Sequence, residues 1–119
     1  SERLLAMEDI WRLYVSPEFG WIWRNPAFSE VNIAGQLEVA GVMRMVSGQI
    51  DRLVQIDGGR VIIDYKTSRS VPEENDLPES YLWQMAAYKR LLERDGSGLP
   101  VRAALLYTAA PRLFMLDKQ

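Results

Sequence analysis

Apolar and polar residues alternate most clearly in the middle of the chain, over residues 47–68. Successive side chains of a strand point to opposite faces of a sheet, so this alternation predicts two strands. Between them, Asp57-Gly58-Gly59 provides residues that tolerate the positive φ of a tight hairpin turn. In the first strand, every second residue from position 46 to position 56 is apolar or glycine, with Arg52 as the exception. These residues, which share one parity, are Val46, Gly48, Ile50, Val54 and Ile56.

Helical patterns flank the predicted hairpin. Residues 2–15 carry an apolar stripe at helical spacing, which we expect to pack against the sheet. That stripe consists of Leu4, Met7, Trp11, Tyr14 and Val15. A second helix is predicted to start at a D-x-x-E capping box formed by Asp76 and Glu79, and to run to about residue 94.

Shorter strand patterns precede the hairpin. We expect one strand over residues 29–34 and another over 37–39, with Gly35 ending the first. Residues 42–45 then lead into the hairpin as one bent strand that is broken at Gly48.

Two further strands are predicted after the second helix. Residues 101–107 are nearly all apolar, which is typical of an interior strand, and residues 113–116 suit an edge strand. The order of elements predicts an α/β sandwich with a mixed sheet. At 119 residues the chain is expected to be a single domain, residues 1–119.

Composition narrows the chemistry that is available. The chain has no cysteine and no histidine, which excludes thiolate sites, the usual zinc ligands and the usual general base. Any metal must therefore be held by carboxylates, carbonyls and water. The net charge of −2 counts against a free-standing nucleic-acid binder, but less against a piece of a larger protein that delivers the DNA. The start at Ser1 leads us to expect such a longer protein.

Three charged residues of the hairpin are the candidate chemistry. Asp64 and Lys66 share a face at i, i+2. Asp51 joins that face whichever pair forms the turn: with Gly58-Gly59 it lies opposite Lys66, and with Asp57-Gly58 it lies opposite Asp64. Carboxylates roughly 5 to 8 Å apart repel unless a cation binds between them.

Mg2+ or Mn2+ is the cation that such oxygen ligands favour. Lys66 beside it could activate a water or stabilise charge on a phosphate. The plainer interpretation is an ordinary surface hairpin with an Asp–Lys pair. Arg52 and Arg69 are the nearby candidates for phosphate contact, although simple surface charge explains them equally well.

Four short segments resemble, in order, the motifs of the PD-(D/E)XK nuclease superfamily in its RecB-like branch. The first two are Gly48-Gln49-Ile50-Asp51-Arg52 and Asp64-Tyr65-Lys66-Thr67. The others are Gln84-Met85-Ala86-Ala87-Tyr88, a Q-x-x-x-Y motif, and Ser29-Glu30-Val31 upstream. The likeness extends over residues 29–116 and is nearest to the C-terminal nuclease domain of the AddA subunit of AddAB helicase–nucleases, which are of the exonuclease V type.

The resemblance implies a restriction-endonuclease-like fold and a role for each matched residue. Asp51 and Asp64 would bind the catalytic Mg2+, with Mn2+ as a possible substitute, and the main-chain carbonyl of Tyr65 would complete the protein ligands. Lys66 would position or activate the attacking water. The supporting or DNA-binding residues would be Glu30, Arg52, Gln84 and Tyr88.

The same resemblance implies a metal-dependent DNA exonuclease that acts in double-strand break resection and recombinational repair in the cytoplasm. DNA and an AddB-like second subunit would be its partners, and ATP would bind only at a helicase domain outside this chain. RecB-like nucleases usually supply a histidine from an upstream helix, which this chain lacks. We therefore expect the fragment to bind metal weakly and to cut slowly or not at all. The alternatives are a catalytically silent relative that binds DNA or a partner, and an unrelated interaction module.

Overall fold

The computed structural model describes residues 7–116 as a five-stranded mixed sheet with helices on both faces. In chain order the elements are α1 (Met7–Val15), α2 (Trp21–Arg24), β1 (Ala27–Val39), β2 (Val42–Ile56), β3 (Gly59–Lys66), a 3-10 turn (Glu74–Asp76), α3 (Glu79–Leu92), β4 (Val101–Tyr107) and β5 (Arg112–Met115). The strands lie in sequence order, β3 and β4 are parallel, and the other neighbours are antiparallel. The predicted α/β sandwich with a mixed sheet is therefore confirmed.

Each face of the sheet has its own apolar core. The first core lies under α3 and includes Ile62, Met85 and Leu105. The second core lies under α1 and α2 and includes Leu13, Ile22 and Ile63. β3 is buried along its whole length, as its run of branched apolar residues predicts for a central strand. Among residues 7–116, no helix is both long enough and apolar enough to cross a membrane.

The first hairpin is longer and more regular than predicted. β1 and β2 pair from Ala27↔Val54 to Val39↔Val42, with an interruption at Glu30 and Asp51, so the expected breaks at Gly35 and Gly48 are wrong. The turn instead lies at Ala40 and Gly41, which take φ values of 51° and 79°, as a two-residue hairpin loop requires.

Both misassigned glycines lie where α3 comes close to the sheet. A Cβ at Gly35 would lie 2.6 Å from Leu91 Cδ2, and a Cβ at Gly48 would overlap the Tyr88 hydroxyl. The missing side chains therefore make room for the helix rather than end the strand.

The alternation along both long strands changes phase near Glu30 and Asp51. Ile50 and Leu53 belong to the core under α3, although they are of opposite parity, whereas Val54 packs in the other core. The expected single apolar parity from residue 46 to residue 56 is therefore wrong. The paired strand is irregular at the same level, where Glu30 takes a φ of 55°.

The pairing of β2 with β3 shows which residues form the turn of the second hairpin. β2 and β3 pair from Ile56↔Gly59 to Arg52↔Ile63, so Asp57 and Gly58 form the two-residue loop. Of the three candidate turn residues, only Gly58 takes a positive φ, of 79°. By this register Asp51 falls opposite Asp64, which is one of the two predicted arrangements.

α1 faces the opposite way from the prediction. Met7 and Trp11 are 81% and 66% exposed, and Tyr14 and Val15 are exposed as well. Leu13 is instead the residue that is buried, at 1% exposure. A helix of nine residues makes few contacts with the sheet, and the large apolar side chains of the stripe remain in solvent. Leu4 lies outside the described residues.

The ends of α3 also differ from the prediction. Asp76 lies in the 3-10 turn, Pro78 is the N-cap residue, and no side chain caps the helix, so the expected capping box does not form. The helix ends at Leu92. In the loop that follows, Asp95 and Ser97 both accept hydrogen bonds from Arg60, which ties the loop to the start of β3.

Candidate active site

The candidate site lies where β2 and β3 separate. Their ladder ends at Arg52↔Ile63, and beyond it the main-chain N–H of Tyr65 donates to Asp51 Oδ2 at 2.8 Å. A carboxylate thus takes the place of a strand partner, and Asp51 is only 5% exposed. On the other edge β3 stays paired with β4 through Lys66↔Tyr107. The end of β3 is therefore held from both sides.

Asp64 and Lys66 meet on the α3 face of β3. Lys66 Nζ lies 2.9 Å from Asp64 Oδ2, and both residues are buried. The contact is a buried ion pair, in which the ammonium group of Lys66 compensates the charge of Asp64. The second buried carboxylate of the site, Asp51, instead accepts from the main chain of Tyr65.

Lys66 also contacts an aromatic ring. Its Nζ lies 3.7 Å from the ring centroid of Tyr81, in the first turn of α3. This is within the range of a cation–π interaction. The sequence motifs alone assign Tyr81 no part in the site. Its position three residues before Gln84, and so on a neighbouring helical position, is the signal that could have found it.

Tyr65 follows Asp64 along β3 and donates its main-chain N–H to Asp51, but its ring lies on the opposite face of the sheet. The ring packs in the second core and stacks on Trp23, with centroids 6.2 Å apart. Burial raises the pKa of the Tyr65 hydroxyl to about 12, with the Arg52 charge opposing and the Asp51 charge adding to the shift. The side chain of Tyr65 is thus an uncharged structural group, and only its main chain lies at the candidate site.

Gln84 and Tyr88 form a pair along α3. Gln84 Nε2 donates to Tyr88 Oη at 3.1 Å, and the Tyr88 ring is buried against Gly48. The helix motif and the first strand motif are therefore in direct contact. Sequence reasoning predicted the i, i+4 pair but not the contact with Gly48, because nothing local to either segment indicates it.

The remaining candidate residues lie at the rim of the site. Glu30 is exposed, at the β1 position beside Asp51, between the pairs Ser29↔Arg52 and Val31↔Ile50. Arg52 donates to the main-chain oxygen of Ile22 at 2.9 Å and to Ser29 Oγ at 3.0 Å, so its guanidinium ties α2 to the sheet. Arg69 is exposed in the loop after β3.

The donor set fits a hard divalent cation only in part. Asp51, Asp64 and the main chain at Tyr65 supply oxygen ligands of the kind that Mg2+ prefers. Among residues 7–116, however, no three acidic side chains converge into a metal cluster. A cation held here would keep several waters, as Mg2+ commonly does.

The fold is that of a known class of enzyme. The family model of the PD-(D/E)XK nuclease superfamily matches residues 2–115, which is nearly the whole chain. The chain belongs to this superfamily, whose members are generally nucleases that use divalent metal ions.

A solved structure shares the fold. The crystal structure of SSO0001 is similar with a TM-score of 0.57 and 20% sequence identity, over 92% of this chain. The match covers 50% of SSO0001, so the chain spans about half the length of that protein. At this identity the likeness shows the fold alone. No curated protein matches the chain.

Proposed function

We propose that the domain is a metal-dependent DNA exonuclease, and that residues 1–119 form the single nuclease domain of a larger helicase–nuclease. The observation that carries the proposal is a group of buried charged side chains at the point where β2 and β3 separate: Asp51, Asp64 and Lys66. Two buried carboxylates with one lysine are costly unless further positive charge or hydrogen bonds compensate them. Such a group suits residues whose further partner is a metal cation.

Each residue of the site has a part that its position supports. Asp51 and Asp64 would hold the metal through their carboxylates, and the main-chain carbonyl of Tyr65 would be the third protein ligand. When bound, the metal supplies Lewis-acid polarisation of the phosphate and a water of lowered pKa. Lys66 would orient the attacking water or neutralise charge that builds on the phosphate. The reaction would be the hydrolysis of a phosphodiester bond of DNA.

The RecB-like branch, and the likeness to AddA within it, rest on the Q-x-x-x-Y motif. Gln84 holds the hydroxyl of Tyr88, and Tyr88 packs against Gly48 of the first strand motif. We infer from this that Gln84 and Tyr88 support the site and the DNA backbone, with Glu30 and Arg52 as rim residues. The setting would be double-strand break resection in the cytoplasm, with an AddB-like subunit as partner and ATP at a separate helicase domain.

The proposal is tested on the full-length protein that contains this domain, because the fragment alone is expected to cut slowly or not at all. End-labelled linear DNA is digested with Mg2+, Mn2+, Ca2+ or chelator. We expect cutting with Mg2+ or Mn2+, and a loss of at least about a hundredfold in Asp64→Ala and Lys66→Ala. Asp57→Asn, which removes a carboxylate in the exposed turn of the same hairpin, is the matched control and should cut normally. Circular DNA without ends should resist an exonuclease.

Two results would contradict the proposal. Retained cutting in both Asp64→Ala and Lys66→Ala would place the chemistry elsewhere. Binding of DNA without any metal-dependent cutting would identify a catalytically silent module, an alternative that the lack of a three-carboxylate cluster in residues 7–116 supports.

A further inference from the structure

Lys66 Nζ is held between two groups of different character. On one side is the carboxylate of Asp64, at 2.9 Å, and on the other is the face of the Tyr81 ring, at 3.7 Å from its centroid. The carboxylate holds the ammonium group by charge, and the aromatic ring contacts it from another element, α3. The ring face therefore supplies a second fixed contact.

The ring itself is well anchored. Tyr81 N–H donates to the main-chain oxygen of Pro78 at 3.0 Å in the first turn of α3, and the side chain packs against the core under that helix. The lysine backbone is anchored as well, since Thr108 N–H donates to the main-chain oxygen of Lys66 at 3.0 Å. The ammonium–ring contact thus joins two elements, β3 and α3, that also share the core on this face of the sheet.

Beside this contact is an open cavity of about 320 Å³. Lys66 and Tyr81 both line it, together with Ser68, Ser70 and Tyr107. The long lysine side chain has several rotamers and could swing into this space, away from Asp64. A ring held against Nζ opposes that movement.

We propose that Tyr81 is a positioning residue for Lys66: its ring face keeps the ammonium group beside Asp64 and out of the adjoining cavity. The inference rests on the proposed nuclease function for its kinetic consequence, but the contact itself can be tested without any activity. The hydroxyl of Tyr81 has no part in it, which makes Tyr81→Phe the conservative variant and Tyr81→Leu the disruptive one.

The kinetic test compares linear DNA digestion in these two variants. A cation–π contact corresponds to roughly a two- to thirtyfold effect on rate, and we expect kcat to fall about tenfold in Tyr81→Leu with KM changed less than about twofold. Tyr81→Phe should restore most of the rate. Tyr14→Leu, at an exposed tyrosine of α1, is the control for the substitution itself and should cut normally. Thermal unfolding checks that Tyr81→Leu remains folded.

The contact is read directly by NMR of the full chain with 13C-labelled lysine. The chain has three lysines, so the signal of Lys66 is identified by its loss in Lys66→Arg. The ring current shifts the NMR signal of a group above the face of an aromatic ring upfield. Here that group is the lysine Cε, which carries the ammonium group. We expect that shift in the wild type and in Tyr81→Phe, and its loss in Tyr81→Leu while the other two lysine signals stay in place.

The outcomes separate the two proposals. No upfield shift in the wild type, or equal loss of kcat in Tyr81→Phe and Tyr81→Leu, would overturn the positioning role. A wild type that shows the shift but never cuts DNA would refute the nuclease function and leave the Lys66–Tyr81 contact established.

Discussion

Gly48 is the position where the contact between helix and sheet is tightest, so Gly48→Ala is the sharpest test of the packing. A Cβ there would overlap Tyr88 Oη, and Tyr88 Cζ would also lie only 2.8 Å away. Tyr88 is buried, and its hydroxyl accepts a hydrogen bond from Gln84, so the ring cannot swing out of the way. The added methyl group must therefore displace α3 or strain the strand.

The cost can be worked out from these contacts. Overpacking of a rigid core costs about 1 to 3 kcal/mol, and a rigid neighbour favours the upper end. Against this, the loss of glycine's freedom in the unfolded chain returns about 0.4 to 1 kcal/mol. We expect Gly48→Ala to lower the free energy of unfolding by about 2 kcal/mol. Tyr88→Phe alone should lose about 1 kcal/mol with its hydrogen bond.

The double variant distinguishes a steric cause from any general weakness of the strand. Removing the Tyr88 hydroxyl also removes the closest overlap, so Gly48→Ala with Tyr88→Phe should cost at least about 1 kcal/mol less than the sum of the two. The assay is urea unfolding, with a shift in midpoint at constant slope. Gly35→Ala is the matched control, because its Cβ meets only the flexible end of Leu91, and it should cost less than about 1 kcal/mol. Equal costs at Gly35 and Gly48, or strict additivity in the double variant, would refute this reasoning.

Two further predictions test the helix orientation and the loop after α3. Leu13→Ala should lower the free energy of unfolding by about 2 to 5 kcal/mol, whereas Trp11→Ala, at an exposed position, should change it by less than about 0.5 kcal/mol in urea unfolding; the reverse order would mean that α1 faces the other way. Three hydrogen bonds lower the pKa of the Asp95 carboxyl from 3.8 to about 2: one from the main-chain N–H of Ser97, one from the Arg60 side chain and one from the Ser97 side chain. Since the folded pKa is the lower one, this stabilisation is present above about pH 4 and is lost as the pH falls towards 2. The difference in stability between wild type and Asp95→Asn should therefore be constant above about pH 4 and shrink below it, and a difference that grew on acidification would contradict the assignment.

The hairpin that carries the candidate chemistry was the most predictable part of the chain. Alternation and the Asp57-Gly58-Gly59 turn predicted both strands, and the i, i+2 spacing placed Asp64 and Lys66 together, as the structure shows. These are local rules, in which spacing along the chain fixes which side chains can meet. The choice between the two turn registers was not local, since only the pairing of the whole ladder decides it.

The predictions were wrong where the environment of a residue is set by contacts with residues that are distant in the sequence. Gly35 and Gly48 were interpreted as breaks because a glycine in a strand usually weakens it, yet both lie under α3, which comes more than 30 residues later. The stripe of α1 was expected to be buried because it holds the largest apolar side chains. Hydrophobicity alone does not say which face of a short helix has a partner.

The change of phase at Asp51 explains how the site and the core can share one strand. Regular alternation would place Ile50 and Asp51 on opposite faces, so that one of them would leave the α3 side of the sheet. In the structure both are buried, Ile50 in the core under α3 and Asp51 against the main chain of Tyr65. The turned-over backbone at Glu30, with its φ of 55°, accompanies this switch in the neighbouring strand. The irregularity thus lets the acidic residue enter the gap between β2 and β3 while the residue before it still packs the core.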